Sequence, residues 1–182
     1  MTVEIICVLD KSGSMEMVAT DARGGFNQFI KDQQKIGEAN LTLIWFDHAF
    51  SVGYEGKLSE MKPIDEWPIG GMTALRDAIG FTFAHVKPRF TIESPEKVIL
   101  AILTDGHENS STEYSTEQVG NLIKEHREKY NWDVIFLGAD QDAWEAVKDF
   151  HIDKNFVASY SSQDTRDGLN TYSSMVSKLR IK

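Results

Sequence analysis

The stretch Val3-Glu4-Ile5-Ile6-Cys7-Val8-Leu9-Asp10-Lys11-Ser12-Gly13-Ser14 decides the fold. Val3–Leu9 is apolar apart from Glu4, too short for an ordinary helix, and rich in β-branched residues, so it reads as a strand. It ends abruptly at Asp10 and gives way to small polar residues around Gly13, the composition of a tight loop. Val98–Leu103 repeats the pattern as a uniformly apolar run, the mark of a central strand buried on both faces, and it leads into Thr104-Asp105-Gly106. Val134–Leu137 is a third such run.

Working outward, the segments between these runs carry helical spacing. Phe26, Phe29, Ile30 and Gln33 share one face of a helix that stops at Gly37. Leu75, Ala78, Ile79, Phe83 and Val86 form a second stripe, with Pro88 expected to end it. Ser115 and Gln118 make a capping box for a third helix, with Val119, Leu122, Ile123 and Tyr130 on its buried side. Ala143, Val147 and Phe150 mark a short helix, Phe156–Ser159 a weaker strand, and Leu169, Tyr172, Val176 and Leu179 a last helix. Leu41–Phe46 and Phe50–Lys57 are separated by only Asp47-His48-Ala49, which predicts a hairpin. Strand and helix alternate along the whole length, which predicts one α/β domain over residues 1–182 with a mainly parallel sheet and Phe50–Lys57 as an antiparallel edge strand.

Composition narrows the function classes. The 182 residues are 41% hydrophobic and 26% charged, ordinary values that exclude a disordered or fibrous chain. No apolar run approaches the ~20 residues needed to cross a bilayer, and the start lacks the basic, apolar pattern of a secretory signal. A single cysteine, Cys7, excludes an intramolecular disulfide and reads as an inert core thiol. The expectation is a cytoplasmic protein. Net charge is −9, with no segment dense in Lys or Arg, so nucleic acid and anionic membrane surfaces are poor partners.

In open parallel sheets, ligands bind beyond the carboxyl ends of the strands. After the first strand stand Asp10, Ser12 and Ser14; after Val98–Leu103 stands Asp105; before the Leu75 helix stands Gly70-Gly71-Met72-Thr73. Asp10, Ser12, Ser14, Thr73 and Asp105 supply two carboxylates and three hydroxyls, hard oxygen donors that suit Mg²⁺, Mn²⁺ or Ca²⁺ rather than zinc or copper. Mg²⁺ takes six oxygens and these residues supply five at most, so one position faces outward. A carboxylate from a protein partner would complete the shell. Lys11, Met15, Met72 and His107 are the expected surroundings of that contact, with Glu108 and Asn109 on the same face.

Asp10-Lys11-Ser12-Gly13-Ser14, Thr73 in Gly-Gly-Met-Thr-Ala-Leu, and Asp105 in Leu-Thr-Asp-Gly resemble the three parts of the metal ion-dependent adhesion site of von Willebrand factor A domains, with no departure from the pattern D-x-S-x-S, T, D. The resemblance runs from Val3 to at least Leu137. It implies a three-layer, doubly wound, Rossmann-like fold: a mostly parallel six-stranded sheet flanked by helices. It also implies that Ser12, Ser14 and Thr73 touch a cation, Mg²⁺ foremost, that Asp10 and Asp105 act directly or through water, and that a partner's acidic residue fills the vacant position. The segment Leu137–Ala143 is similar to one in short stand-alone bacterial and phage members.

The reading is therefore a metal-dependent protein-interaction module rather than an enzyme. The alternatives are a metal-dependent hydrolase and an adaptor for a ring ATPase, since stand-alone members of the family often sit beside such ATPases. A haloacid-dehalogenase-type phosphatase would want a second Asp where Ser12 stands. The dinucleotide fingerprint, the phosphate loop, the nucleophile elbow and H-E-x-x-H are all absent. His126 reads as a helix boundary residue, His48 as solvated, and Trp67, just before the Thr73 loop, as the tryptophan nearest a recognition role.

Overall fold

Strand β1 (Val3–Asp10) runs through the middle of one sheet, with strands β2 (Asn40–Phe46) and β4 (Lys97–Thr104) parallel on either side. The structure, a computed structural model, describes residues 2–92, 94–139 and 143–181. Beyond β2 lies β3 (Phe50–Lys57), antiparallel to it; beyond β4 lie β5 (Asp133–Ala139) and β6 (Val157–Tyr160), both parallel. The order β3-β2-β1-β4-β5-β6 makes a six-stranded, mostly parallel sheet with one antiparallel edge strand. The β2–β3 ladder shifts register between Leu43 and Ile44, leaving Gly53 as the extra residue of a bulge.

Because side chains alternate along a strand, each central strand feeds two cores. Ile5, Cys7 and Leu9 join Leu43, Ala101 and Ile135 against helices α1 (Ala19–Ile36) and α5 (Thr165–Ile181). Ile6 and Val8 join Ile44, Leu100 and Phe136 against α2 (Leu75–Ile92), α3 (Thr116–Tyr130) and the short α4 (Ala143–Val147). The result is three layers. No helix among the described residues is long and apolar enough to cross a membrane.

Two expectations shift. Helix α2 does not end at Pro88 but continues to Ile92. Pro88 and Ala84, whose carbonyl loses its partner there, are both exposed, so water replaces the missing hydrogen bond and the helix persists. Phe156 closes a 3-10 turn over Lys154–Phe156, and the last strand starts one residue later than expected. The capping box of Ser115 and Gln118 forms as expected. Most of Leu137–Ala143 beyond Ala139 lies outside the described residues.

The chain leaves β1 toward β2 on one side and reaches β4 on the other, so the switch in winding direction falls between β1 and β4. At such a point the connecting loops diverge to opposite faces and open a crevice at the carboxyl ends of the strands. Leu9 pairs with Leu103, which sets Asp10 level with Thr104 and puts Asp105 just beyond.

Candidate functional site

Asp10 sits at the floor of this crevice, fully buried. Its Oδ1 accepts the Ser12 N–H at 2.7 Å and its Oδ2 accepts the Thr104 hydroxyl at 2.5 Å. Burial pushes the Asp10 carboxyl above the usual range, and the hydrogen bonds from Ser12 and Thr104 oppose that shift without cancelling it. Above Asp10 the hydroxyls line up. Ser12 Oγ lies 3.1 Å from Ser14 Oγ, and Ser14 Oγ donates to Asp105 Oδ1 at 2.7 Å. Thr73 reaches the same place from the other side: a Cβ built on Gly106 would lie 2.8 Å from Thr73 Oγ1 and 3.6 Å from Ser14 Oγ. Only glycine at 106 lets the strand-end backbone approach the two hydroxyls so closely.

The loops that carry these groups are cross-linked through their backbones. Gly13 N–H donates to the Gly71 carbonyl at 2.9 Å, and Gly70 N–H to the Lys11 carbonyl at 2.7 Å. Asp47, at the β2–β3 hairpin, accepts from Ala49 N–H and Gly71 N–H, and its own carbonyl accepts from Ala74 N–H. Burial raises the Asp47 carboxyl, but those N–H groups together with Lys11 and His48 outweigh it and leave Asp47 below the usual range. A side chain at Gly70 would collide with the Asp47 carboxylate, which is why this loop needs glycine.

On the opposite flank, Asn109 Oδ1 accepts the Thr73 N–H and Glu108 accepts the N–H groups of Arg76, Ser110 and Ser111. Asp77 accepts the N–H groups of Thr112, Glu113 and Tyr114. The loop after β4 is thus tied to the first turn of α2. Asp47, Asp77, Thr104 and the structural roles of Glu108 and Asn109 escaped the sequence reading. Three of these have a local pattern: the side chains of Asp47, Thr104 and Glu108 each accept an N–H two residues on.

The structure brings Asp10, Ser12, Ser14, Thr73 and Asp105 together and divides the expected surroundings. Met72 and His107 are exposed. Lys11 leans onto Asp47 at 3.4 Å. Met15 is a correction: the 3-10 turn Gly13–Val18 turns it fully into the core beneath the site, leaving Met17 to face solvent. Trp67 is likewise no rim residue; it is buried, and its Nε1–H donates to the Asp10 carbonyl at 3.0 Å. His48 is mostly solvated and stands 3.4 Å from Asp47, while His126 is half-buried against Phe83 and Trp132.

Among the described residues no group of three or more His, Cys, Asp or Glu side chains is placed to hold a metal ion. This crevice instead gathers two carboxylates and three hydroxyls. Hydrogen bonds at 3.1 Å and 2.7 Å hold Ser12 Oγ, Ser14 Oγ and Asp105 Oδ1 together at one place, and all five side chains offer hard oxygen donors. The donor set fits a hard divalent cation.

No family model matches the chain, and no curated protein matches it. Solved structures do. The von Willebrand factor type A protein from Catenulispora acidiphila superposes with a TM-score of 0.67 at 15% identity, over 97% of this chain and 42% of that one. The ArnB paralog VWA2 from Sulfolobus acidocaldarius gives 0.60 at 18% identity, over 91% of this chain and 43% of that one. This chain therefore spans less than half the length of those two proteins. The von Willebrand factor domain of the type V pili tip protein Mfa5 from Porphyromonas gingivalis gives 0.69 at 11% identity, over 96% of this chain and 94% of that one. A crevice at the β1–β4 switch point, the β3-β2-β1-β4-β5-β6 order and these superpositions together establish that the chain has the von Willebrand factor A fold.

Proposed function

We propose that the chain is a divalent-metal-dependent protein-interaction module that captures an acidic residue of a partner. Asp10, Ser12, Ser14, Thr73 and Asp105 would hold Mg²⁺, or Mn²⁺ or Ca²⁺. The observation that carries this reading is the chain of oxygens Ser12 Oγ, Ser14 Oγ and Asp105 Oδ1, spaced at 3.1 Å and 2.7 Å above the buried Asp10 carboxylate. When bound, the cation supplies a positive centre with an open coordination position. This chain's own residues hold the donors in place: Thr104 and Ser12 fix Asp10, Asn109 fixes Thr73, and Asp47 fixes the Gly70-Gly71 turn. A surface of net charge −9 disfavours acidic partners in general, so a carboxylate is welcome only where a cation offsets that field. The likeness to a pilus-tip domain is in keeping with an interaction role.

The test is thermal unfolding with chelator and with added Mg²⁺ or Mn²⁺. A ligand bound only by the folded state stabilises it by RT ln(1 + [L]/Kd), about 1.4 kcal/mol at tenfold saturation. Asp10→Ala and Thr73→Ala should each remain folded and lose the cation response. A double variant that responds like the wild type would refute the site.

A further inference from the structure

Helix α2 runs past Pro88 to Ile92, while α3 stops at Tyr130, where Asn131 takes a left-handed conformation (φ 54°) and the chain turns into β5. Between these two helix ends and the start of β4 lies a cavity of about 510 Å³, whose lining includes Lys87, Phe90, Val98, His126 and Trp132. That volume is in the range of small-molecule sites. The continuation of α2 beyond Pro88 supplies one wall, Phe90. The cavity is remote from the crevice. Val98 and Asp105 stand at opposite ends of β4, about 23 Å apart at the rise of an extended strand.

Its walls are aromatic and set at angles to one another. Trp132, 6% exposed, stacks on Phe83 with ring centroids 5.2 Å apart. It meets Phe90 edge-on at 5.8 Å and 70°, and His126 at 4.7 Å and 64°. Rings crossed in this way offer a further flat ring both faces and edges to pack against.

Charge on the rim nearly cancels. Lys129 pairs with Glu125 at 3.0 Å, and Lys87 stands near the carboxyl end of α2, whose dipole it offsets. The site thus favours an uncharged ligand. One polar group remains to orient it. His126 Nδ1 lies 2.8 Å from the Leu122 carbonyl oxygen, and because a carbonyl only accepts, Nδ1 carries the proton. Burial holds the imidazole below its ordinary value, so the ring is neutral at physiological pH and Nε2 is an acceptor. No donor among the described residues meets it.

We propose that this cavity binds a flat, uncharged aromatic molecule carrying one N–H or O–H group, with its ring against Trp132 and Phe90 and its proton donated to His126 Nε2. The inference stands apart from the metal-binding reading. The test follows the backbone amide and tryptophan N–H signals of the full, isotope-labelled chain by NMR. Two probes that differ by one hydrogen-bond donor are titrated, indole and N-methylindole. Indole should bind saturably in the millimolar range, moving the signals of Phe90, Asn131 and Trp132, while those of Gly13, Gly70 and Gly106 stay in place. N-methylindole, which cannot donate, should bind about fivefold more weakly. His126→Phe keeps an aromatic ring and removes the acceptor, so both probes should then bind alike. Thr91→Trp, at an exposed position in the last turn of α2 that lines the cavity, should fill it and abolish binding of both probes, with the melting temperature near that of the wild type. Shifts that do not saturate, shifts confined to other residues, equal affinity of the two probes for the wild type, or undiminished binding to Thr91→Trp would each overturn the proposal.

Discussion

Thr73 and Asn109 exchange two hydrogen bonds: Thr73 N–H donates to Asn109 Oδ1 at 2.9 Å, and Asn109 N–H donates to the Thr73 carbonyl at 3.0 Å. The residue that brings a hydroxyl to the crevice from the loop before α2 is thereby fastened to the loop that brings Asp105 from β4. Asn109→Ala leaves the Thr73 N–H, on a buried residue, without its acceptor, at a cost of about 1–2 kcal/mol. Urea unfolding should show that loss. Cation titration followed by melting temperature should show a weaker response than in the wild type, beyond the general destabilisation.

Asp105→Asn tests the like charges at the strand ends. Asn keeps an acceptor for the Ser14 hydroxyl, which now meets Asp105 Oδ1 at 2.7 Å, and removes one negative charge beside Asp10. In chelator at low salt the variant should be more stable than the wild type by roughly 0.5–1 kcal/mol, and the gain should shrink as salt is raised. In Mg²⁺ the order should reverse. Chemical denaturation under the three conditions checks all of this.

Gly70→Ala places a methyl group where the Asp47 carboxylate stands. Moving Asp47 releases the hydrogen bonds to Ala49 and Gly71, so the variant should lose about 2–3 kcal/mol. The substitution also displaces the turn that leads to Thr73, and calorimetry with Mg²⁺ should record a diminished heat of binding.

His126 supplies a pH dependence remote from the crevice. Burial holds its imidazole below the ordinary value, with the Leu122 carbonyl opposing through Nδ1. The unfolded chain therefore takes up a proton near pH ~6.5, before the folded protein does. The sign follows: His126 costs no stability above that pH, and stability falls as pH drops through it. His126→Phe should flatten the decline between about pH 7 and 5, measured as urea midpoints across that range.

The fold was legible because its strands are buried on both faces and announce themselves as apolar runs, Val98–Leu103 most plainly. Pro88 misled because its effect depends on which side of the helix meets water, and periodicity alone does not settle that. The grouping of Asp10, Ser12, Ser14, Thr73 and Asp105 was legible because the first three fall within five residues at the end of one apolar strand, Asp105 follows another, and Thr73 stands just before a helix, behind Gly70-Gly71. Asp77, Glu108 and Asn109 were not. Asp77 and Asn109 accept from backbone N–H groups more than thirty residues away, as Glu108 does from Arg76, and no spacing in the chain records those bonds; only Glu108's bonds from Ser110 and Ser111 N–H are local. Met15 and Met17 show the same limit at shorter range: two residues apart, one is core and the other faces solvent because a 3-10 turn begins at Gly13.

The backbone bonds from Gly13 N–H to Gly71, from Gly70 N–H to Lys11 and from Asn109 N–H to Thr73 belong to no helix or strand ladder, yet each joins two different loops. Breaking one loosens the loops that the others require. In hydrogen–deuterium exchange the amides of Gly13, Gly70, Thr73 and Asn109 should consequently open as one cooperative unit, with a common protection that exceeds that of ordinary surface turns. Added Mg²⁺ should slow the four together, while the amides of β3 at the far edge of the sheet keep their own rate.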